Sequence, residues 1–337
     1  MNNGIQIIGT QRSGSNLLRV ILDQSPEIAS PHPPHILVTF MPLLAAYGTL
    51  DAVTYRRLVK DVVAYVNANP VPWDGVVLDE EQLFRQSETY HLFTLNRLIY
   101  EQAAISKNAK YWCCKSMANV HYAAEMEAFG LRPKYVFLYR DGRDVACSFK
   151  KAIVGEKHIY HLAQQWKKDQ QACIRLKETL PADRFFSLSY EQLITEPESE
   201  IRRLCHFLDI EYRADMLLFH DSKTSKLTAA AGEMWSNLEK PIISNNTGKF
   251  LKEFKAHDLD IFELVAGETL TALNYERYAP QADPALIDAQ QLMDYDKENE
   301  ILKQEALALA RPADLENRAP QLHILKEIKS RTIQEPQ

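Results

Sequence analysis

What the chain lacks narrows its function before any motif is read. It has no excess of positive charge. Its 39 Lys and Arg stand against 45 Asp and Glu, a formal net charge of −6, which argues against the basic surface that generic nucleic-acid binding requires. Any anion site must therefore be local. No apolar run approaches the roughly 20 residues of a spanning helix, so no integral membrane segment is expected. Cysteine is scarce and odd in number, five in all with no CxxC spacing, and the five read as reduced core thiols. The adjacent Cys113 and Cys114 would point to opposite faces of a strand. The opening Met1-Asn2-Asn3-Gly4 carries no basic n-region and leads into no secretory hydrophobic stretch. That argues against export by a cleaved signal and for a cytoplasmic protein. Internal repeats, low-complexity tracts and Pro/Gly/Ser linkers are also missing, so one principal domain is expected.

What is there is ordinary for a soluble globular chain: 337 residues, 46% hydrophobic and 25% charged, with a mean hydropathy of −0.32. That length allows a large core. Ile5–Ile8 is short, β-branched and closed by Gly9, as a buried parallel strand is. After the loop Thr10–Ser15, apolar Leu17, Leu18, Ile21 and Leu22 mark one face of a helix that runs to Ser25-Pro26. Further strands are expected at 111–115, 135–139 and 184–188, with none beyond 209. Helices are expected at about 51–68, 80–107, 143–152, 157–180, 198–208 and 258–273. Strands spaced by helices predict an α/β fold with a central parallel sheet flanked by helices. Residues 1–280 form that domain. Residues 281–337 read as a helical C-terminal extension of one or two amphipathic helices with a frayed end, packed on the domain or on a partner subunit in a homo-oligomer.

Two constellations carry chemistry. Gly9-Thr10-Gln11-Arg12-Ser13-Gly14-Ser15-Asn16 follows a strand and precedes a helix, the setting of a Walker A loop, where backbone N–H groups and the helix N-terminus hold an anion. Ser15-Asn16 replaces the Lys-[Ser/Thr] pair of a nucleoside triphosphatase, and Arg12 supplies charge from inside the loop instead. The second, Tyr139-Arg140-Asp141-Gly142-Arg143-Asp144-Val145-Ala146-Cys147-Ser148, again leaves a strand and enters a helix. By itself it also reads as Arg140 paired with Asp141 or Asp144, and Arg143 facing solvent. Both loops lie at carboxyl ends of parallel strands, where open α/β sheets bind ligands.

The loop GTQRSGSNLL, the segment YVFLYRDGRDVACSF and the stretch SLSYEQLITEPESEIRRLCHFLDI together resemble a sulfotransferase that uses 3′-phosphoadenosine 5′-phosphosulfate (PAPS). The resemblance is closest to the bacterial and tyrosylprotein-type branches of this P-loop-like fold. It covers most of residues 5–278 and diverges between about 36 and 108. It implies that Arg12, Ser13, Gly14, Ser15 and Asn16 hold the 5′-phosphosulfate, that Arg140 and Ser148 grip the 3′-phosphate, and that Tyr190 lies near the adenine. It places Lys249, in Ser244–Phe250, on the loop that closes over the nucleotide. Lys115 matches the lysine of a Lys-Thr-Pro segment, here Lys115-Ser116-Met117, and joins Arg12 in stabilising the leaving phosphate. The base, a glutamate after the first helix in tyrosylprotein-type enzymes, falls at His32, with His35 second. No carboxylate lies between residues 28 and 50.

In Ser30-Pro31-His32-Pro33-Pro34-His35 the two histidines are expected on a rigid, exposed turn, near the ordinary imidazole pKa of about 6.5. They lack a third ligand, so no metal is expected. The implied product is PAP, and the acceptor a hydroxyl or, less readily, an amine of a small or lipid-like metabolite. The apolar run Ile36–Leu44 fits an acceptor-pocket wall or core packing. Two other readings stand beside this one. A P-loop phosphotransferase needs a lysine after Gly14 that is absent, and a catalytically silent PAPS- or PAP-binding protein would tolerate loss of His32, His35 and Lys115.

Overall fold

The computed structural model describes residues 4–334. The chain start Met1–Asn3 and the frayed end expected at the other terminus lie outside the described residues. Five strands form one parallel sheet in the order β2-β3-β1-β4-β5: β1 Gly4–Ile8, β2 Ile28–Ala29, β3 Tyr111–Cys114, β4 Lys134–Tyr139 and β5 Phe185–Ser189. Fifteen α-helices surround it among the described residues. The first half of the chain gives α1 Ser15–Asp23, α2 Ile36–Phe40, α3 Ala52–Asn67, α4 Glu80–Gln86, α5 Leu92–Lys107, α6 Ala123–Phe129, α7 Gly142–Lys150 and α8 Ile159–Thr179. The second half gives α9 Tyr190–Thr195, α10 Pro197–Leu208, α11 Lys223–Ala230, α12 Phe250–Glu253, α13 Ala256–Ala272, α14 Ala289–Ala308 and α15 Pro312–Gln334.

The strand pattern explains the layering. Along β4, Tyr135 and Phe137 pack into one core with α3 and α5, while Val136 and Leu138 pack into another with α1 and α10. That is the two-residue period of a strand buried on both faces. Cys113 and Cys114 divide in the same way between the two cores, and all five cysteines are buried and unpaired. A third cluster joins α7, α8 and α13 around the fully buried Trp166.

The central β1 pairs with β3 on one side, Ile5 opposite Cys113, and with β4 on the other, Ile8 opposite Phe137. The chain crosses from β3 over β1 to β4, so the order reverses beside β1, the position at which an open sheet leaves a crevice. Gly9 occupies that crevice at φ +132, where a Cβ would come within 2.4 Å of the Leu138 carbonyl oxygen. Glycine is therefore demanded at the strand exit.

Four strands fall where expected, and the last is β5. β2, two residues long, gives no periodic signal and was not anticipated. The single helix expected over 80–107 is two, α4 and α5, because His91 is extended and caps α5 through its ring to the Phe93 N–H. α3 starts at a capping box in which Asp51 and Thr54 satisfy each other's backbone N–H. The run after His35 is core rather than pocket wall: Ile36, Leu37 and Phe40 are buried against α3 and α5. Beyond residue 281, α15 sinks Ile328 into the main core and pairs Arg331 with the buried Asp61 at 2.8 Å.

Candidate active site

The carboxyl ends of β1, β3, β4 and β5 deliver Arg12, Lys115, Arg140 and Tyr190 to one cavity of about 620 Å³. Gly14, Ser15, Asn16, His32, His35, Ser148 and Lys249 also line it. Ser13 does not. It is buried beneath the loop, and its hydroxyl has no hydrogen-bond partner.

The loop itself is held by geometry more than by side chains. Gly14, at φ +83, is the N-cap of α1 and brings no side-chain cap, which leaves the first-turn N–H groups directed at the cavity. A Cβ on Gly14 would lie 2.3 Å from the Tyr190 ring, so the loop and Tyr190 pack directly on each other. Thr10 is anchored from α8 by the buried Gln170, whose amide donates to the Thr10 hydroxyl at 2.8 Å. Arg12 adopts φ +70 and His35 φ +62. Two non-glycine residues in the left-handed region on one cavity wall mark conformational strain held by the fold.

Arg12 Nε donates to Ser148 Oγ at 3.0 Å, and its guanidinium also reaches the Met234 carbonyl at 3.4 Å. Burial, then the neighbouring Arg140 and Arg318, lower Arg12 to about 10. Arg140 donates to the Asn246 carbonyl at 2.7 Å, approaches Asp144 at 3.4 Å and lies over the Tyr190 ring at 4.4 Å. Its Nε is buried without a partner. Asp144 meanwhile accepts the N–H groups of Gly248 and Phe250 at 2.8 and 3.1 Å, and Asn246 Nδ2 donates to the Tyr190 hydroxyl at 2.6 Å. The late loop is thus tied to the strand exits by four contacts, and Lys249 stands exposed on its rim. Arg143 does not face solvent. It is buried in ion pairs of 2.7 Å with both Asp141 and Glu263.

The transfer end differs from expectation in one respect that matters. The turn bearing His32 is not exposed, because Asn69, Trp73 and Trp235 close over it. The His32 carbonyl accepts from Asn69 Nδ2 at 2.9 Å and from Trp73 Nε1 at 2.7 Å, and the imidazole meets the Trp235 ring edge-on at 4.9 Å. Its pKa is not near 6.5. Burial pushes it well below, reinforced by Arg19, Lys115 and His35. The half-buried His35 is lowered to about 3 by burial and by Lys115 and Arg318.

Lys115 is 6% exposed and has no counter-ion among the described residues. Burial, then Arg19 and Arg12, lower it to about 7. Arg19 itself is fully buried in α1, bonded to the Ser30 carbonyl and the Thr228 hydroxyl at 3.0 and 2.8 Å. Among the described residues, no group of three or more His, Cys, Asp or Glu is placed to hold a metal ion. The unpartnered Arg140 Nε and the first-turn amides suit a ligand with several anionic oxygens.

The sequence model of the sulfotransferase family matches residues 4–214, a span that includes the loop, Lys115, Arg140 and Tyr190. The chain belongs to the sulfotransferase family. Among curated proteins it is 23% identical to protein-tyrosine sulfotransferase A of Caenorhabditis elegans over 228 residues, 66% of this chain and 53% of that one. An uncharacterized protein of Aquifex aeolicus is 23% identical over 234 residues, 67% of this chain and 28% of its own length. The chain thus spans between about a quarter and a half of these two relatives. Among solved structures, the sulfotransferase domain of the Synechococcus PCC 7002 olefin synthase superposes with a TM-score of 0.59 at 20% identity, covering 81% of this chain and 95% of that one. The sulfotransferase domain from the curacin biosynthetic pathway gives 0.57, also at 20% identity, over 82% and 99%. These structures share the fold.

Asn69, Trp235, Asp144, Arg19 and Arg318 were not anticipated as site residues. For Asp144 and Arg19 a signal existed: a second acid inside RDGRD, and a lone arginine within an otherwise apolar helix face. The other three are brought in by tertiary contacts that no local pattern announces.

Proposed function

We propose that this chain is a PAPS-dependent sulfotransferase that transfers a sulfuryl group to a hydroxyl, and less readily an amine, of a small or lipid-like acceptor and releases PAP. The observation that carries the reading is one cavity lined together by the glycine loop after β1, Arg140, Ser148 held by Arg12, and His32. The loop amides and the Ser15 hydroxyl would take the 5′-phosphosulfate, and Arg140 with Ser148 the 3′-phosphate. Tyr190 and the rim residue Lys249 would border the nucleotide.

His32 is placed as the base. Asn69 Oδ1 accepts from Nδ1 at 3.3 Å, which leaves the Nε2 lone pair to receive a proton, and Nε2 is buried with no other partner. As the acceptor oxygen bonds to sulfur in line, its proton passes to Nε2 and the bond from sulfur to the bridging oxygen of PAP breaks. Arg12 and Lys115 face the charge that grows on that oxygen. Phe219, Trp235 and Leu238 on the cavity wall favour an acceptor with an apolar body. We assign the catalytic domain to residues 1–280, with 281–337 as a helical extension that lends Asp314 and Arg318 to the cavity wall, and the five unpaired cysteines support a cytoplasmic setting.

Calorimetric titration with PAP, with and without EDTA, tests the donor. Metal-independent binding is the expected result, followed by transfer of label from PAPS to alcohols. Binding of ATP with Mg²⁺ and not of PAP would replace this reading with the phosphotransferase one.

A further inference from the structure

Part of the cavity wall comes from far along the chain. α15 reaches it with Asp314 and Arg318, outside the segment matched by the family. The docking is built. The buried carboxylate of Asp314 accepts the Glu233 backbone N–H at 3.0 Å, Asn317 Nδ2 donates to the Ala231 carbonyl at 3.4 Å, and Arg311 pairs with Glu233 at 3.1 Å. These contacts fix the segment that carries Met234 and Trp235.

Arg318 is the cation that this docking delivers. Its guanidinium carbon lies 5.3 Å from the centre of the Trp235 ring, one terminal nitrogen faces Met234 Sδ at 3.7 Å, and its buried Nε has no partner. Arg12 meets the same residue through the Met234 carbonyl at 3.4 Å. Two guanidinium groups from distant parts of the chain therefore converge on Met234, and no carboxylate among the described residues bridges them. Asp314, one turn earlier on α15, is committed to the Glu233 N–H and to Arg311 at 3.0 Å. Like charges brought together in a partly desolvated site repel, and Arg318 adds to the burial and the Arg140 charge that already lower Arg12. An anion received between them relieves that repulsion and is held by charge-assisted hydrogen bonds. In the donor the 5′-phosphate has the loop amides and the 3′-phosphate has Arg140, which leaves the sulfonate for the second guanidinium.

We propose that Arg318 grips the sulfonate of PAPS beside Arg12, so that the C-terminal helix is part of the donor site. The proposal rests on the PAPS reading above.

The test compares PAPS with PAP, which lacks the sulfonate, by calorimetry on the full chain without acceptor. Arg318→Ala is expected to weaken PAPS about tenfold or more while PAP changes less than about twofold. Arg318→Met keeps the stem on Trp235 and gives the same comparison should the alanine variant unfold. Equal loss for both nucleotides, or loss for neither, overturns the sulfonate assignment and leaves the PAPS reading standing. Wild-type protein that binds neither nucleotide overturns that reading, and the assignment with it.

Discussion

Asn69 grips His32 twice, donating from Nδ2 to its carbonyl at 2.9 Å and accepting at Oδ1 from its ring Nδ1 at 3.3 Å. The first contact fixes which way the amide faces, and so makes the second an acceptor. The tautomer follows. Asn69→Ala releases it, and kcat is expected to fall about 10- to 100-fold with PAP affinity unchanged, the usual size of an orienting contact. His32→Ala should cost more, about 10²- to 10⁴-fold, and His35→Ala much less. Steady-state rates with labelled PAPS decide it, and equal rates for wild type and Asn69→Ala would remove the amide from the mechanism.

Lys115 sets the alkaline side of the pH profile. With a pKa lowered to about 7 by burial and two arginines, it loses its charge in the free enzyme as pH rises through that value. kcat/KM for PAPS is expected to fall above about pH 7. Bound donor brings negative charge beside the ammonium and raises its pKa, so the fall in kcat comes at higher pH. Lys115→Arg, charged throughout, should abolish the limb in kcat/KM. On the acid side His32 stays neutral well below 6.5, so no loss centred near 6.5 is expected.

Arg140 and Asp144 act on the late loop in different ways. Arg140→Ala removes both the guanidinium proposed to face the 3′-phosphate and the 2.7 Å contact to Asn246. It is expected to raise KM for PAPS by an amount equivalent to about 2–4 kcal/mol. Asp144→Asn leaves the guanidinium and weakens the hold on Gly248 and Phe250. Proteolysis within 244–250 should then speed up, with a smaller rise in KM. The same KM for both variants would mean that Arg140 acts by pinning the loop alone.

Arg143 bears on stability rather than turnover. Its removal takes the ion partner from Asp141 and leaves the fully buried Glu263 with Arg277 at 3.7 Å and the N–H groups of Tyr278 and Ala279. Breaking a buried pair from one side costs about 3–5 kcal/mol. Urea unfolding of Arg143→Ala should show a loss of that order, and a change under about 1 kcal/mol would contradict the buried network.

Much of this was legible in the sequence for local reasons. Ile5–Ile8, Tyr135–Tyr139 and their neighbours are short, β-branched or aromatic runs with sharp ends, and their carboxyl ends placed Arg12, Lys115 and Arg140 before the fold was seen. β2 was invisible because two residues carry no period. The environment of His32 was illegible for a different reason. A proline-rich turn looks exposed in isolation, and its cover comes from Asn69 and Trp73 on one side and Trp235 on the other. The burial of Arg143 was illegible likewise, since Glu263 lies 120 positions away. α15 resembled an appendage because its contribution, Arg318, lies in an amphipathic helix whose pattern speaks of packing alone.

The central position of β1 has a consequence for synthesis. β1 has hydrogen-bonding partners on both sides, and both lie later in the sequence, at Tyr111–Cys114 and then Lys134–Tyr139. Until Tyr111–Cys114 has been made, β1 is unpaired in a nascent chain, with Gln6 as its single polar side chain. Sheet closure is then a non-local event of the slow, association-prone kind. A chain halted before residue 111 leaves both edges of β1 open, and one halted between 115 and 133 leaves open the edge that β4 covers, so such stalled products are expected to associate or to bind chaperones.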